Sequence, residues 1–267
     1  MRVRSTTLLA VLTGLLMTAS TAAQISLREV PEVARKRAER LRPLQIAALE
    51  PFWPDFALEY RTNQSVLDDA IQKAAKLGDS VVPLLLEKLQ PAQGGSTSRN
   101  LASNCRRVLS YLDPGSFVDA LAEMARGSHD IARTEAIILL GHADVPQSAT
   151  VLTDLIDTAS ESNRLLIIRS LRQLRSATAA PKIVPLLGSN DRRLREEVLA
   201  YLIAAKASSV ADTVVQALTT EGDDRLLPSF IDYFATCTKQ HVAATEALLP
   251  LLSRERIDWQ DTRTLVT

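Results

Sequence analysis

Few side chains in this sequence could do covalent or metal chemistry, and their spacing argues against both. The three histidines, His129, His142 and His241, are not spaced as a metal cluster, and none begins an HExxH motif. The two cysteines, Cys105 and Cys237, form no CxxC pair. GxGxxG, Walker and GxSxG patterns are absent. The sequence therefore predicts no catalytic residue, no metal ligand and no cofactor. What recurs is arginine. Arg133, Arg164 and Arg195 stand 31 residues apart, with Asp130, Glu161 and Asp191 three or four positions before them. Arg169, Arg172 and Arg175 fall three apart, which puts them on one helical face, and Arg192 and Arg193 follow. The first set reads as a structural ladder. Each planar guanidinium suits a bond to a turn carboxylate that ties one repeat to the next. The second set reads as a candidate surface for an anionic partner.

The elements that position these arginines show in the apolar residues. Leu109, Leu140, Leu171, Leu202 and Tyr233 form one column at steps of 31, and Arg106, Ile137, Ile168, Leu199 and Phe230 form another. Met124, Leu155, Leu186, Ala217 and Leu248 form a third. A fourth, Leu121, Leu152, Ile183 and Val214, weakens at Thr245. Within a period the apolar positions fall at i, i+4 and i+7, as in Ile167, Leu171 and Leu174, the stripe of a helix packed on one side. Breaker clusters such as Asp113-Pro-Gly-Ser116 and Gly188-Ser-Asn-Asp191 separate the stripes. One helix pair cannot bury its own apolar face, so neighbours must stack. The fold predicted is all-α: an α-solenoid of stacked antiparallel helix pairs with a period near 31 residues. The pairs expected are 79–90 with 98–112, 114–126 with 129–142, 145–158 with 161–175, 177–188 with 191–205, 208–220 with 223–236, and 239–253 with 257–267. A helix over 64–77 belongs to an earlier, irregular pair.

Two details carry a family resemblance. Val82-Pro83-Leu84-Leu85, Val184-Pro185-Leu186-Leu187 and Leu249-Pro250-Leu251-Leu252 place a proline in the first helix of a pair. The stretch Asp130–Gly141 has Arg133 three residues on, Ala136 three further, and ends Leu140-Gly141. Together these resemble the HEAT repeat, and the short period is similar to bacterial HEAT repeats of the phycobilisome-lyase kind. The resemblance covers about 79–253 and weakens where Ala102 and Leu226 stand in the arginine column. It implies an armadillo-like scaffold with a protein-binding surface. No histidine is followed by Glu, so the iron-binding HEAT enzyme that hydroxylates deoxyhypusine is not matched.

Cys105 and Cys237 lie four repeats apart, on the order of 40 Å at ~8–10 Å per helix step. That is far beyond the ~7 Å between Cα atoms that a disulfide tolerates. Cys105 shares its column with Ala136, Ile167 and Val198, so it is expected in the core.

The ends differ from the array. Met1-Arg-Val-Arg4, the apolar run Leu8–Met17 and the small residues up to Ala23 make a secretory signal peptide, so residues 1–23 are read as a leader. A mitochondrial presequence is the alternative, but such segments are amphipathic rather than block-apolar. The run is too short to span a bilayer, so no transmembrane segment is expected after cleavage, and the location expected is periplasmic or extracellular. Residues 24–63 read as an N-terminal extension or cap, with 6 basic and 3 acidic residues between Arg28 and Arg42. Trp53 lies here, and capping is its preferred reading over a partner anchor. Residues 64–267 read as the solenoid with irregular terminal repeats.

The chain of 267 residues carries 31 basic and 31 acidic side chains, which excludes a uniformly basic nucleic-acid binder. The balance is a sum of blocks. Residues 113–161 hold 9 acids and 2 bases, 164–206 hold 9 bases and 3 acids, and 207–250 hold 6 acids and 2 bases. In a solenoid, order along the chain is order in space, so a basic band should lie between two acidic ones. The expectation is an exported, non-catalytic protein-interaction or scaffold module that docks an acidic protein partner on Arg169, Arg172, Arg175, Arg192 and Arg193. No nucleic-acid partner is expected, and the sequence leaves the oligomeric state open. The rival readings are a lyase-like or chromophore-handling enzyme and a self-assembling envelope protein. Stoichiometric metal or turnover would mark the first, and concentration-dependent size the second.

Overall fold

A repeating stripe at two helices per period can bury its apolar side only against copies of itself, and the computed structural model of the chain shows that stacking. The structure describes residues 40, 42–90, 95–238 and 242–252. The leader, most of the basic N-terminal stretch, residues 91–94 and the final helix expected at 257–267 lie outside the described residues. The chain divides into two units, 1–51 and 52–267. Of the first, residues 42–49 are helical. The second is all-α among the described residues, with thirteen α-helices joined by turns and short 3-10 segments.

These helices are α1 (Trp53–Phe56), α2 (Gln64–Ala75), α3 (Val82–Lys88), α4 (Ser96–Tyr111), α5 (Val118–Arg126), α6 (Asp130–His142) and α7 (Pro146–Leu155). They continue as α8 (Glu161–Leu174), α9 (Ala180–Ile183), α10 (Arg192–Ala204), α11 (Ala211–Thr220), α12 (Leu227–Cys237) and α13 (Val242–Leu252). The second helices of successive pairs, α4, α6, α8, α10 and α12, each pack on the next, and α2 packs on α4. The second unit is thus an α-solenoid. Its core is built on columns read from the sequence, except that the column of Met124 is only half-buried from Leu186 onward, where Leu187 and Leu218, one residue on, take the core places. Leu109, Leu140, Leu171, Leu202 and Tyr233 are all fully buried, as are Leu121, Leu152, Ile183 and Val214. Removing such side chains from water contributes roughly 1.5–3 kcal/mol each. Cys105 is fully buried in its column, and both cysteines are free.

The turns repeat with the same period. His129, Ser160 and Asp191 are the N-caps of α6, α8 and α10, and each side chain accepts a hydrogen bond from a backbone N–H of the first turn. Arg175 and Lys206, again 31 apart, both leave their helices at φ 51°, the left-handed conformation that more often ends a helix at glycine. Tyr201 Oη donates to Ser176 O at 2.6 Å and Tyr233 Oη to Ala207 O at 2.7 Å. These bonds pin the loop that enters the first helix of the same pair.

One element departs from expectation. The helix expected over 177–188 is three short pieces: a 3-10 turn Ala177–Ala179, α9, and a 3-10 segment Val184–Gly188. Pro181 and Pro185 stand four apart. Pro185 has no N–H to give the Pro181 carbonyl, and its ring crowds that carbonyl, so the α-helix ends there. Among the described residues no helix is long and apolar enough to cross a membrane.

The candidate functional site on the second helices

The expected partner-binding arginines sit on α8 and α10, and the structure separates them into two groups. Arg169 and Arg172 lie one turn apart on α8 and reach across to Glu197 on α10. Arg169 Nε stands 3.0 Å from Glu197 Oε2, and Arg172 Nη1 stands 2.8 Å from Oε1. Glu197 is 10% exposed in its side chain, against 54% and 43% for the two arginines. One buried carboxylate thus holds two surface guanidiniums in place. Like charges three apart repel on a helix, and the shared carboxylate offsets that. The cluster keeps one net positive charge with its outer N–H groups facing solvent.

Next to this cluster is an open groove of about 540 Å³, lined by Ile138, Leu166, Arg169, Arg172, Gln173 and Arg175 among others. Its walls come from α6, α8 and the end of α10, where Ala204 also contributes. Ile138 and Leu166 give it an apolar part and the three arginines a basic one. The close approach of α6 and α8 shapes it. A Cβ added at Gly141 would meet Ser170 Cα at 2.9 Å and Cβ at 2.7 Å, so only glycine fits there. Gln173 and His142 Nδ1 are 2.8 Å apart across the same seam. Burial and the nearby Arg106 guanidinium hold His142 below the usual imidazole pKa.

Arg192 and Arg193 are elsewhere. They open α10, while Ala204 at its far end lines the groove, a rise of about 18 Å along the helix. Arg192 pairs with Glu196 at 2.8 Å and faces Asp223 at 3.9 Å. Arg193 is exposed, and its backbone N–H donates to Asp191 Oδ1. The basic band therefore resolves into a groove cluster of Arg169, Arg172 and Arg175 and a separate pair at the start of α10.

The arginine ladder differs from the carboxylate pairing expected of it. Arg133 Nε and Nη2 donate to Gly127 O, at 3.0 and 2.6 Å, and Nη1 to Asp130 Oδ1 at 3.1 Å. Arg164 donates to Ile156 O and Ala159 O, not to Glu161. Arg195 Nη1 donates to Ser189 O at 2.7 Å, while Nε and Nη2 grip Glu221 at 3.0 and 3.2 Å, not Asp191. The shared partner is a backbone carbonyl at the turn between the two helices of a pair. The last carbonyls of a helix lack intrahelical donors, and a cation satisfies them. Only Arg195 reaches the next repeat, through Glu221.

Two residues of consequence were not singled out from the sequence. Glu197 is one. Glu135 is the other, two repeats earlier, buried and paired with Arg106 Nε at 2.5 Å. The signal was present: Asn104, Glu135, Leu166 and Glu197 form one column at the 31-residue step, on an otherwise apolar side. Asn104 Nδ2 fills the same role without charge, donating to Phe56 O and Leu58 O.

Among the described residues no group of three His, Cys, Asp or Glu side chains could hold a metal ion. His129 caps α6, and burial pushes the Cys105 thiol well above its ordinary pKa, away from the reactive thiolate. No curated protein matches the chain. Residues 118–204, the stretch from α5 through α10 that holds the ladder, the groove and both acidic anchors, match the family model of HEAT repeats.

Proposed function

We propose that this protein is an exported, non-catalytic interaction module that docks an acidic protein segment on its second-helix face. HEAT repeats generally act as protein-interaction scaffolds, which makes a protein the expected partner. The observation that carries the acidic character is the Arg169–Arg172–Glu197 cluster beside the 540 Å³ groove. Guanidiniums fixed by a buried carboxylate lose less rotamer entropy on binding than free ones, and their outer edges match a carboxylate. Ile138 and Leu166 would take an apolar side chain next to the acidic one. Arg192 and Arg193, about a helix length away, would steer a longer acidic segment rather than share the groove. Export rests on the charge, apolar run and small residues of positions 1–23.

Charge reversal tests the site. Arg169→Glu with Arg172→Glu should weaken capture of the partner from an extract of the source organism at least tenfold and flatten its salt dependence. Arg193→Glu should lower the association rate more than the affinity. Capture that the double reversal leaves unchanged would sink the assignment. Export is tested separately by the N-terminus of the purified mature protein, expected near Gln24.

A further inference from the structure

We propose that a second site, at the turn edge of the array beside Arg133, binds a carboxylate carried on a short apolar stem. The chain supplies its own template. Arg195 holds Glu221 through Nε and Nη2 while Nη1 takes the Ser189 carbonyl. Arg195 and Glu221 are 13% and 7% exposed, so this is a nearly buried carboxylate site filled from within the chain. Two repeats earlier the arginine and the turn carbonyl recur without the acid, and the guanidinium is turned, so that Nε and Nη2, which hold Glu221 in the template, take the carbonyl instead. Arg133 matches Arg195, and Gly127, whose carbonyl Arg133 takes, matches Ser189, each 62 residues back. The position matching Glu221 is Ala159. The carboxylate is missing from the sequence there, and a cavity of about 240 Å³ lies at that place, lined by Arg133 and Ala159 among others.

The cavity has a physical origin. Ala125 lines it, where the next two repeats place Ile156 and Leu187. Asn163 lines it, where the next repeat places the buried Leu194. Smaller or more polar side chains at these positions open the space that its neighbours fill. Its apolar wall is Ile137, Leu155 and Ile167, and its polar wall includes Arg126, Arg133 and Asn163. Of the five N–H groups of Arg133, three are engaged, two on Gly127 O and one on Asp130. One hydrogen on each Nη is left for a ligand, the pair that forks onto a carboxylate. The Asp130 carboxylate is 89% exposed, so it is not a buried competitor for that edge. A cavity of this size suits a few methylenes and one carboxylate rather than a drug-sized molecule.

This site is independent of the second-helix groove, and its test uses the full mature chain. Hexanoate, hexanamide and N-acetyl-glutamate amide are titrated by calorimetry and by two-dimensional NMR. Hexanoate should bind, with shifts at residues 125–137 and 155–167, and hexanamide should bind at least tenfold more weakly. Arg133→Gln should cost at least tenfold in affinity. Because that change also removes a turn bond, Ala159→Glu is the decisive variant. It places a carboxylate where Glu221 sits two repeats on, so it should raise the melting temperature and abolish hexanoate binding. If the glutamate derivative binds tighter than hexanoate, the carboxylate comes from a protein side chain; if hexanoate does, from a free acid. No binding of either at millimolar concentration, equal binding of the amide, or unimpaired binding in Ala159→Glu would overturn the proposal. Arg169→Glu with Arg172→Glu should leave this binding unchanged.

Discussion

At the scale of the residue, the buried acids of the second helices decide what the arginines can do. Glu135 shows this in its simplest form, with one partner. Its side chain is 12% exposed and Arg106 is 15% exposed. Burial raises the Glu135 pKa and Arg106 pulls it back, burial being the larger influence. For an acid whose folded pKa is raised, stability is greatest while the acid is protonated and is lost as pH rises through the folded pKa. Arg106→Ala should therefore cost about 3–5 kcal/mol at pH 7.5, because it leaves a buried carboxylate uncompensated. The cost should shrink as pH is lowered from 7.5 to 5, because burial lets Glu135 take up a proton more readily than an ordinary acid. Chemical denaturation at both pH values checks this, and an equal cost at the two would deny the role of Glu135. The chain itself places Leu166 in the middle of this column, between Glu135 and Glu197. Replacing the whole ion pair by apolar residues, Glu135→Leu with Arg106→Met, should accordingly be far milder than the single change.

At the scale of the element, the helices follow from periodicity and caps, and the seams between them follow from a few small residues. The α6–α8 seam closes at Gly141 over Ser170. Ala favours a helix interior over Gly by about 1 kcal/mol. Overpacking a tight seam costs about 1–3 kcal/mol. Backbone Cα of Ser170 is among the atoms in the way, so Gly141→Ala should be net destabilising in equilibrium unfolding despite the better propensity. It should also push α6 from α8 and weaken the groove. A stabilised variant would mean that the seam relaxes freely. Much at this scale was legible beforehand. The 31-residue columns place the helix pairs to within a few residues, and the Gly188–Asp191 breaker cluster contains the N-cap Asp191, while the caps His129 and Ser160 lie outside the clusters. The broken first helix at 180–188 was legible only in part, since a proline near a helix start is tolerated and a second proline four residues on is not. The partners of the ladder were less legible. Every turn offers backbone carbonyls that no side-chain pattern records, and they won over the nearby acids at Arg164 and Arg195. Glu197 stood in view as one acid within a basic block, but only the stacking of α8 on α10 shows it gripping two arginines at once.

At the scale of the whole molecule, the second unit works as an array whose neighbouring repeats share a two-helix plan and differ in side chains. That is why one column can hold a filled carboxylate site at Arg195 and a cavity at Arg133, and why net charge along the chain says little until local pairs are drawn. The basic band of residues 164–206 loses part of its excess to acids outside it: Asp157 pairs with Lys182, Glu221 with Arg195, and Asp223 faces Arg192. What is left to offer a partner is concentrated at the α8 groove and at the start of α10. The central claim is that an acidic protein segment docks in that groove. The most direct measurement is photo-cross-linking in an extract of the source organism, with a photoreactive side chain at Gln173 beside the groove or at the exposed Asp154 on a first helix. The account predicts cross-linked peptides rich in Asp and Glu from Gln173 alone, and their loss with Arg169→Glu and Arg172→Glu. Cross-links of equal yield from Asp154, or from Gln173 regardless of the charge reversal, would contradict it.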